Sequence, residues 1–182
     1  MRLLIFIFLS LSSFALPKVQ VIDASFMSSS ENRVIVLLNE VRKNPVGFEK
    51  SIVAPKLKKN PKNSYLKSLS ATLKKMKPVG SLVANKTQYE SAKCHALEIG
   101  SKGLQTHKRQ SKNCKKKSAF NGECIAFASK KAEDILLMLL VDEGVPSLGH
   151  RIICLDDRYK EIGVSIEYHK KWKHVAVLDF GL

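Results

Sequence analysis

Apolar residues recur with helical spacing over the first half of this chain. Residues 34–41 place Val and Leu at i, i+3, i+4 and i+7, which predicts the apolar face of a helix. Residues 28–31 (Ser-Ser-Ser-Glu) match a capping box that starts this helix, and Pro45 ends it. Apolar faces at the same spacing predict further helices over residues 66–76 and 87–103.

The second half combines one strongly apolar helix with short strands. Residues 131–141 are apolar on every side after an acidic first turn, which predicts a deeply buried helix. Residues 123–127 form a short apolar strand, and residues 162–168 and 174–180 alternate as the two strands of a hairpin. Helices first and strands last predict an α+β fold, with helices packed on a small antiparallel sheet.

Two segments show neither the helical nor the strand-like spacing of apolar residues. Residues 47–63 are rich in Lys, Pro and Asn and predict a short helical turn followed by an exposed loop, and residues 105–121 predict a basic loop. Both contribute to a formal net charge of +15, from 31 Lys and Arg against 16 Asp and Glu. This charge favours anionic partners such as lipid head groups or acidic glycans, or else marks only a solvated surface. Nucleic acid is disfavoured because aromatic residues are not interleaved with the basic ones.

The N-terminus has the three parts of a secretory signal peptide. Arg2 precedes an apolar run over residues 3–9, and Ser13 and Ala15 supply the small residues of a cleavage site. The run is too short for a membrane anchor, which needs about 20 apolar residues. We therefore expect a secreted protein without a transmembrane segment, divided into a signal peptide over residues 1–15, an N-terminal segment over 16–30 and one domain over 31–182.

Four cysteines, an even number in an exported chain, indicate up to two disulfides: Cys94, Cys114, Cys124 and Cys154. Three pairings are possible. The spacing lacks the paired C-x-x-C pattern of a structural zinc site, so metal–thiolate chemistry is disfavoured.

Polar residues in unusual places are the candidate chemistry. His107 follows the third helix, Glu123 opens a strand, and His150 lies in a Gly-His-Arg turn. Asp142 and Glu143 end the apolar helix, where acids oppose the helix dipole. The sequence contains no nucleotide-binding, serine-hydrolase or zinc-protease motif. Each of these residues taken singly is more often structural than functional, so the set is more informative than any member.

The remaining histidines and the single tryptophan are assigned structural roles. His95 is predicted to pack at the edge of the third helix's apolar face, and His169 and His174 to lie at the surface beside the hairpin turn. For Trp172, in that turn, packing over a core edge is favoured. The alternative is an exposed anchor for a ligand or membrane surface.

Several ordered motifs span residues 37–180. They are residues 38–45 (LNEVRKNP), 92–96 (AKCHA), 122–126 (GECIA), 141–151 (VDEGVPSLGHR), 159–164 (YKEIGV) and the closing Val-x-Asp-Phe of residues 177–180. In order and spacing they resemble the CAP superfamily of cysteine-rich secretory proteins, antigen 5 and pathogenesis-related proteins. The resemblance implies a three-layer α–β–α sandwich with a small, mainly antiparallel central sheet and a central cleft.

In members of this superfamily two histidines and two acids line the cleft, and in some they hold a divalent metal. By position, the resemblance assigns His107, Glu123 and His150 to this set, with Asp142 or Glu143 as the second acid. Two neutral imidazoles with one or two carboxylates suit Zn²⁺ or another divalent cation, with an open position for water or a ligand.

Cys124 departs from the family pattern, which usually has Asn after this Glu. A disulfide from Cys124 to Cys154 or Cys114 is favoured because the chain is predicted to be exported. A free thiol nucleophile beside His107 or His150 is the alternative.

The resemblance favours a secreted binding or effector protein over an enzyme, with lipid or sterol carriage among the roles it implies. One alternative is a metal-assisted hydrolase, in which His107 and His150 hold Zn²⁺ and Glu123 acts as ligand or base. Another is a cationic surface-binding domain with a vestigial cleft.

Overall fold

A four-stranded sheet forms the middle layer of the protein, whose computed structural model describes residues 24–182. Its strands in chain order are β1 (Val83–Ala84), β2 (Gly122–Phe127), β3 (Glu161–His169) and β4 (Lys173–Gly181). In space they run β1–β3–β4–β2. β1 pairs parallel with β3, and the other two pairs are antiparallel. The predicted hairpin and the mainly antiparallel sheet are confirmed, and β2 lies at one edge.

The helices surround this sheet. They are α1 (Ser29–Lys43), α2 (Pro45–Phe48), α3 (Ala54–Lys59), α4 (Ser64–Lys75), α5 (Lys86–Lys102), α6 (Lys112–Lys117), α7 (Ala132–Val141) and α8 (Gly149–Leu155). A π-helical turn, Glu49–Val53, joins α2 to α3.

Two apolar clusters, one on each face of the sheet, define the three layers. On one face α5 packs Ala92, Ala96 and Ile99 against residues of β2 and β4. A Cβ on Gly163 in β3 would lie 1.9 Å from the backbone nitrogen of Tyr89, so this helix rests directly on the sheet. On the other face α1, α4, α7 and α8 contribute to the larger cluster. The predicted three-layer α–β–α sandwich is confirmed.

The helix boundaries follow local chemistry that the sequence displays. Ser28 Oγ accepts from the Glu31 backbone N–H at 3.3 Å, and the Glu31 carboxylate accepts from the Ser28 N–H at 2.6 Å, which completes the predicted capping box. Gly103 closes α5 with φ of +68°, a left-handed conformation that suits glycine. Both predictions are confirmed.

The prediction of irregular structure is wrong in part for two segments. Residues 45–59 are helical, because Pro45 and Pro55 occupy first-turn positions where a missing N–H costs little, and so they start helices instead of breaking them. The basic segment 105–121 contains the short helix α6, which Ser111 caps. The sequence reasoning also missed α8.

His169 is fully buried, so its assignment to the surface is wrong. Its Nε2 lies 3.0 Å from the Leu104 carbonyl oxygen, and its Nδ1 accepts from the N–H groups of Lys171 and Trp172. The ring therefore organises the hairpin turn from inside.

The predicted signal peptide lies outside the described residues and stays a prediction, as does the division into segments at residues 15 and 30. Between residues 24 and 182, no helix is long and apolar enough to cross a membrane.

Candidate functional site

A cleft of about 830 Å³ opens along the edge of the sheet. Its floor is the run Ile125–Ser129, formed by β2 and the residues after it. Leu137 and Met138 of α7 form one wall, and Trp172 and Gln105 form part of the other. α7 is apolar on every side because it serves both the core and this cleft. The prediction of a deeply buried helix holds for its core-facing residues but not for Met138, which is 39% exposed.

His107 and Glu123 form the first polar pair, which lies next to the cleft residue His150. His107 Nδ1 lies 2.7 Å from Glu123 Oε1, and the imidazole is 61% exposed while the carboxylate is buried. This hydrogen bond raises the pKa of His107. Burial opposes ionisation of Glu123, but the bond from His107 and the charge of Arg109 hold the pKa of Glu123 below its ordinary value. Glu123 is therefore an anion that orients His107.

A buried charged network lies behind Glu123. Arg109 Nη2 lies 2.8 Å from Glu123 Oε2 and 2.9 Å from Asp179 Oδ2, and Ser91 Oγ donates to the same Asp179 oxygen at 2.6 Å. The contact with Glu123 is an ion pair by distance and not a well-directed hydrogen bond, because this oxygen has no hydrogen-bond partner among the described residues. Burial, and next the charge of Glu123, raise the pKa of Asp179 to about 8. Asp179 is therefore mostly protonated at neutral pH.

His95 supports the loop that carries His107. It is fully buried, its Nε2 lies 2.9 Å from the Thr106 carbonyl oxygen, and burial lowers its pKa. A neutral ring with the proton on Nε2 satisfies that carbonyl and fixes the residue that precedes His107. The packing role predicted for His95 is supported, with the added task of positioning this loop.

Asp142 and His150 form the second polar pair. His150 Nδ1 lies 2.7 Å from Asp142 Oδ1, while Asp142 Oδ2 accepts from the backbone N–H groups of His150 at 3.0 Å and Arg151 at 3.4 Å. The carboxylate thus caps the first turn of α8, whose N-cap residue Leu148 makes no side-chain cap. Asp142 has φ of +56°, a left-handed conformation that Asp tolerates better than most residues.

Arg151 locks this second pair against its surroundings. Its guanidinium is buried and donates to the carbonyl oxygens of Leu140, Val141 and Tyr65 and to Ser68 Oγ. The first two carbonyls belong to the last turn of α7, where unpaired carbonyl groups need donors. Arg151 therefore fixes the end of α7, from which Asp142 projects.

The two pairs bring two imidazoles together, with His150 in the lining of the cleft and His107 next to it. The ring centroids of His107 and His150 are 6.3 Å apart. Each Nδ1 is used by a carboxylate, and neither Nε2 has a partner among residues 24–182. The resemblance grouped His107, Glu123 and His150 with one of two acids, and the structure places them together with Asp142. Glu143 instead is exposed and accepts weak contacts from Asn63 Nδ2 at 3.3–3.4 Å.

The donor set fits a divalent cation only through the two imidazoles. Within the described residues no group of three or more His, Cys, Asp and Glu is arranged to hold a metal ion. Glu123 and Asp142 lie behind the rings as Nδ1 partners, in the manner of outer carboxylates that orient histidine ligands. The carboxylates therefore contact the imidazoles in this structure, and the expected metal-ligand set stays a prediction.

The cysteines divide into one bond and two buried thiols. Cys94 and Cys114 form a disulfide between α5 and α6, which closes the loop that carries His107. Cys124 and Cys154 are free and fully buried, so a disulfide at Cys124 is wrong for this structure. The Cys124 thiol donates to the His150 carbonyl oxygen at 3.6 Å. Burial, and next the neighbouring Cys154, raise the pKa of Cys124, so this thiol is not an activated nucleophile either.

Sequence reasoning missed two members of the site, Arg109 and Asp179. Arg109 lies in a basic run where nothing in the sequence separates it from the surface lysines. Asp179 could have been recognised from the sequence, because it lies on the same face of its strand as the inward-facing Val175 and Val177. An acid in such a position predicts a buried polar partner.

Comparison with known proteins gives the family. The profile of the cysteine-rich secretory protein family, CAP, matches residues 36–180. The chain therefore belongs to the CAP family. No curated protein sequence matches it.

Two solved structures are similar in fold. Venom allergen-like protein 4 of Schistosoma mansoni shares 14% identity at a TM-score of 0.52, over 85% of this chain and 89% of that one. An outer surface protein of Borrelia burgdorferi shares 20% identity at a TM-score of 0.47, over 69% of this chain and 93% of that one. The first likeness supports the CAP fold.

Proposed function

We propose that this CAP-domain chain is a secreted binding protein that holds its ligand in the cleft beside His107 and His150. The observation that carries the proposal is the convergence of two carboxylate-oriented imidazoles, each with Nε2 unpartnered among the described residues. His150 lines the 830 Å³ cleft, and the ring centroid of His107 lies 6.3 Å from that of His150. Cavities of this size, with apolar walls and a few convergent polar groups, are typical of ligand sites. The Cys94–Cys114 disulfide supports an oxidising compartment, in line with the predicted signal peptide.

A divalent cation such as Zn²⁺ is part of this proposal. His107 and His150 would hold it, and water or the ligand would complete its coordination, so the metal would contribute a positive charge that anchors an anionic group. Glu123 and Asp142 keep the Nδ1 side of each ring occupied and leave the other nitrogen for the metal.

Calorimetric titration of the metal-free protein with Zn²⁺ tests the cation. We expect His107→Ala and His150→Ala each to remove most of the heat of binding, while His174→Ala, a histidine on β4 outside the site, leaves it unchanged. Wild-type protein that binds no Zn²⁺, or a double variant that binds as well as wild type, would refute the metal site.

The apolar walls support a second candidate, carriage of a lipid or sterol. Met138 and Trp172 are each more than a third exposed and both line the cleft, which gives an acyl chain or ring system a surface to cover. Mass spectrometry of an organic extract from the purified protein, followed by transfer of a labelled fatty acid, tests this candidate. Absence of both bound and transferable lipid would remove it.

The hydrolase alternative finds less support in the geometry. A catalytic zinc commonly has three protein ligands and a base near its bound water. The described residues offer two neighbouring imidazoles, and Glu123 already contacts His107 and Arg109 through its two oxygens. Glu123 would therefore have to break one of these contacts before it could act as a base and accept a proton.

A further inference from the structure

The floor of the cleft is a strand edge that is hydrogen-bonded on one side only. β2 pairs with β4 and with no other strand among residues 24–182. The Ala128 N–H donates to the His174 carbonyl oxygen at 2.9 Å, in register with the ladder. Along an antiparallel pair, every second residue of a strand directs its backbone N–H and C=O groups toward the partner strand. Since Ala128 does so, the even-numbered residues of β2 direct these groups toward β4. The backbone N–H and C=O groups of Ile125 and Phe127 consequently face the other way.

This outward edge is the part of β2 that lines the cleft. Ile125 and Phe127 both line it. Their outward N–H and C=O groups make no hydrogen bond with any backbone or side-chain group in the described part of the chain. Ile125 is itself only 7% exposed, so this edge sits at the bottom of a depression and not on an open surface. Backbone groups at such a place need polar partners, since an unpaired buried group costs about 1–3 kcal/mol.

The geometry points to an extended peptide as the occupant of this cleft, added to the sheet as a fifth strand beside β2. A peptide strand presents N–H and C=O groups at the same two-residue period as Ile125 and Phe127 and can pair with both. An acyl chain can cover the apolar walls but cannot satisfy these groups. The inference rests on the proposed function, because it specifies the class of ligand that the same cleft binds.

The walls are suited to the side chains of such a strand. Alternate peptide side chains point to opposite sides of the extended sheet, so one set meets Leu137 and Met138 of α7 and the other set meets Trp172. These residues offer apolar contact without covering the strand edge. Main-chain pairing supplies affinity in this mode of recognition, and the two walls supply specificity.

The charges around the cleft select an acidic peptide. Lys56 lines it, and Lys59 and Lys62 line a neighbouring depression that shares Asn60 and Asn63 with it. On the other wall, Trp172 is flanked by exposed lysines at 171 and 173. None of these lysines has an ion pair within residues 24–182.

The acids that line the cleft are already engaged. Asp134 accepts from Ser129 Oγ, Asp142 from His150, and Glu143 lies within weak contact distance of Asn63. A peptide with acidic residues toward its ends therefore meets lysines without carboxylate partners on both walls, although Lys171 also lies over the Trp172 ring, and it meets little unpaired negative charge.

A peptide ligand can be selected from a phage library of short random peptides that is screened against the purified protein. The selected peptide is then N-methylated to test how it binds. Methylating one backbone nitrogen at a time should weaken binding about tenfold at every second position and little between them, because only one edge of an added strand pairs with β2. Amide exchange followed by NMR should show new protection at Ile125 and Phe127 when the peptide binds.

Two pairs of variants place the peptide on this edge. Phe127→Pro removes one outward N–H while edge strands tolerate proline, and it should weaken peptide binding about tenfold relative to Phe127→Leu, which keeps the N–H. Lys171→Glu should also weaken binding, whereas Lys116→Glu on α6 makes the same charge change away from the cleft and should not.

Failure to enrich any peptide, loss of affinity without a two-residue period, or equal binding by Phe127→Pro and Phe127→Leu would each overturn the inference. Zn²⁺ titration of the same variants separates this failure from failure of the proposed function. Retained Zn²⁺ or lipid binding without peptide binding would leave a binding cleft with a different ligand. If the folded wild-type protein binds neither Zn²⁺ nor lipid nor peptide, the proposed function itself is wrong.

Discussion

The two halves of the site build the same His–carboxylate pair by different means. Glu123 is held by buried side chains, through the charge of Arg109, whose guanidinium also contacts Asp179. Asp142 is held by backbone N–H groups only eight and nine residues further along the chain. The first half therefore depends on buried electrostatics, and the second on local backbone geometry. Variants that disturb one of the two pairs and leave the other intact test this comparison.

Arg109→Met should have the largest effect on stability. The substitution keeps an apolar stem but leaves the Glu123 anion buried without its cationic partner, which costs about 3–5 kcal/mol. Chemical denaturation followed by circular dichroism measures the change. Arg158→Met, at an exposed pair with Asp156, is the matched control and should cost less than about 1 kcal/mol. Equal costs for the two variants would contradict the buried role of Arg109.

Reduction of the disulfide should loosen the first half selectively. Cys94 and Cys114 close a loop across a sequence separation of 20 that includes His107, so Cys94→Ser with Cys114→Ser should cost about 2–4 kcal/mol. The NMR signals of His107 should broaden or shift, while those of His150 should stay near their wild-type positions, because Asp142 and α8 lie outside this loop. Equal disturbance of both rings would show that the two halves are not independent.

The sequence predicted the fold and three members of the site for identifiable reasons. Apolar spacing located α1, α4, α5 and the hairpin, and the family resemblance assigned His107, Glu123 and His150. The choice between Asp142 and Glu143 could not be made, because it depends on the left-handed turn that directs one carboxylate back to the α8 N–H groups. Arg109 could not be found because tertiary structure alone distinguishes one buried cation within a basic segment.

Asp142→Ala should disrupt the second half at a smaller cost. The variant loses the bonds to the His150 ring and to two backbone N–H groups and places Ala at a φ of +56°, which together cost about 2 kcal/mol. Asp142→Asn keeps an acceptor and tolerates the same φ, so it should retain most of the stability. Thermal unfolding measures both, and Glu143→Gln, at the neighbouring exposed acid, should be neutral. If Asn costs as much as Ala, the backbone cap is not the source of order in this half.

Asp179→Asn should have the smallest effect near pH 4, where both side chains are neutral in the folded protein, and its effect should grow as the pH rises. The pKa of Asp179 is raised from 3.8 to about 8, so between these pH values the folded state holds a proton that the unfolded state has released. The contribution of this group to stability therefore falls as pH rises from about 4 to 8 and is level outside that window. Asn cannot titrate, so the stability of the variant relative to wild type should rise as the pH increases from about 4 to 8.

The difference in melting temperature between Asp179→Asn and wild type, measured at intervals across this range, isolates the group from every other titration. Each kcal/mol corresponds to roughly 2–4 °C for a chain of this size. His107 contributes a loss of the same sign, since its pKa is also raised and its bond to Glu123 weakens as the pH rises through that value. That loss is present in both proteins and cancels in the difference. A difference that stays constant with pH would mean that Asp179 is already ionised in the folded protein, and the buried half of the site would then depend on Arg109 alone.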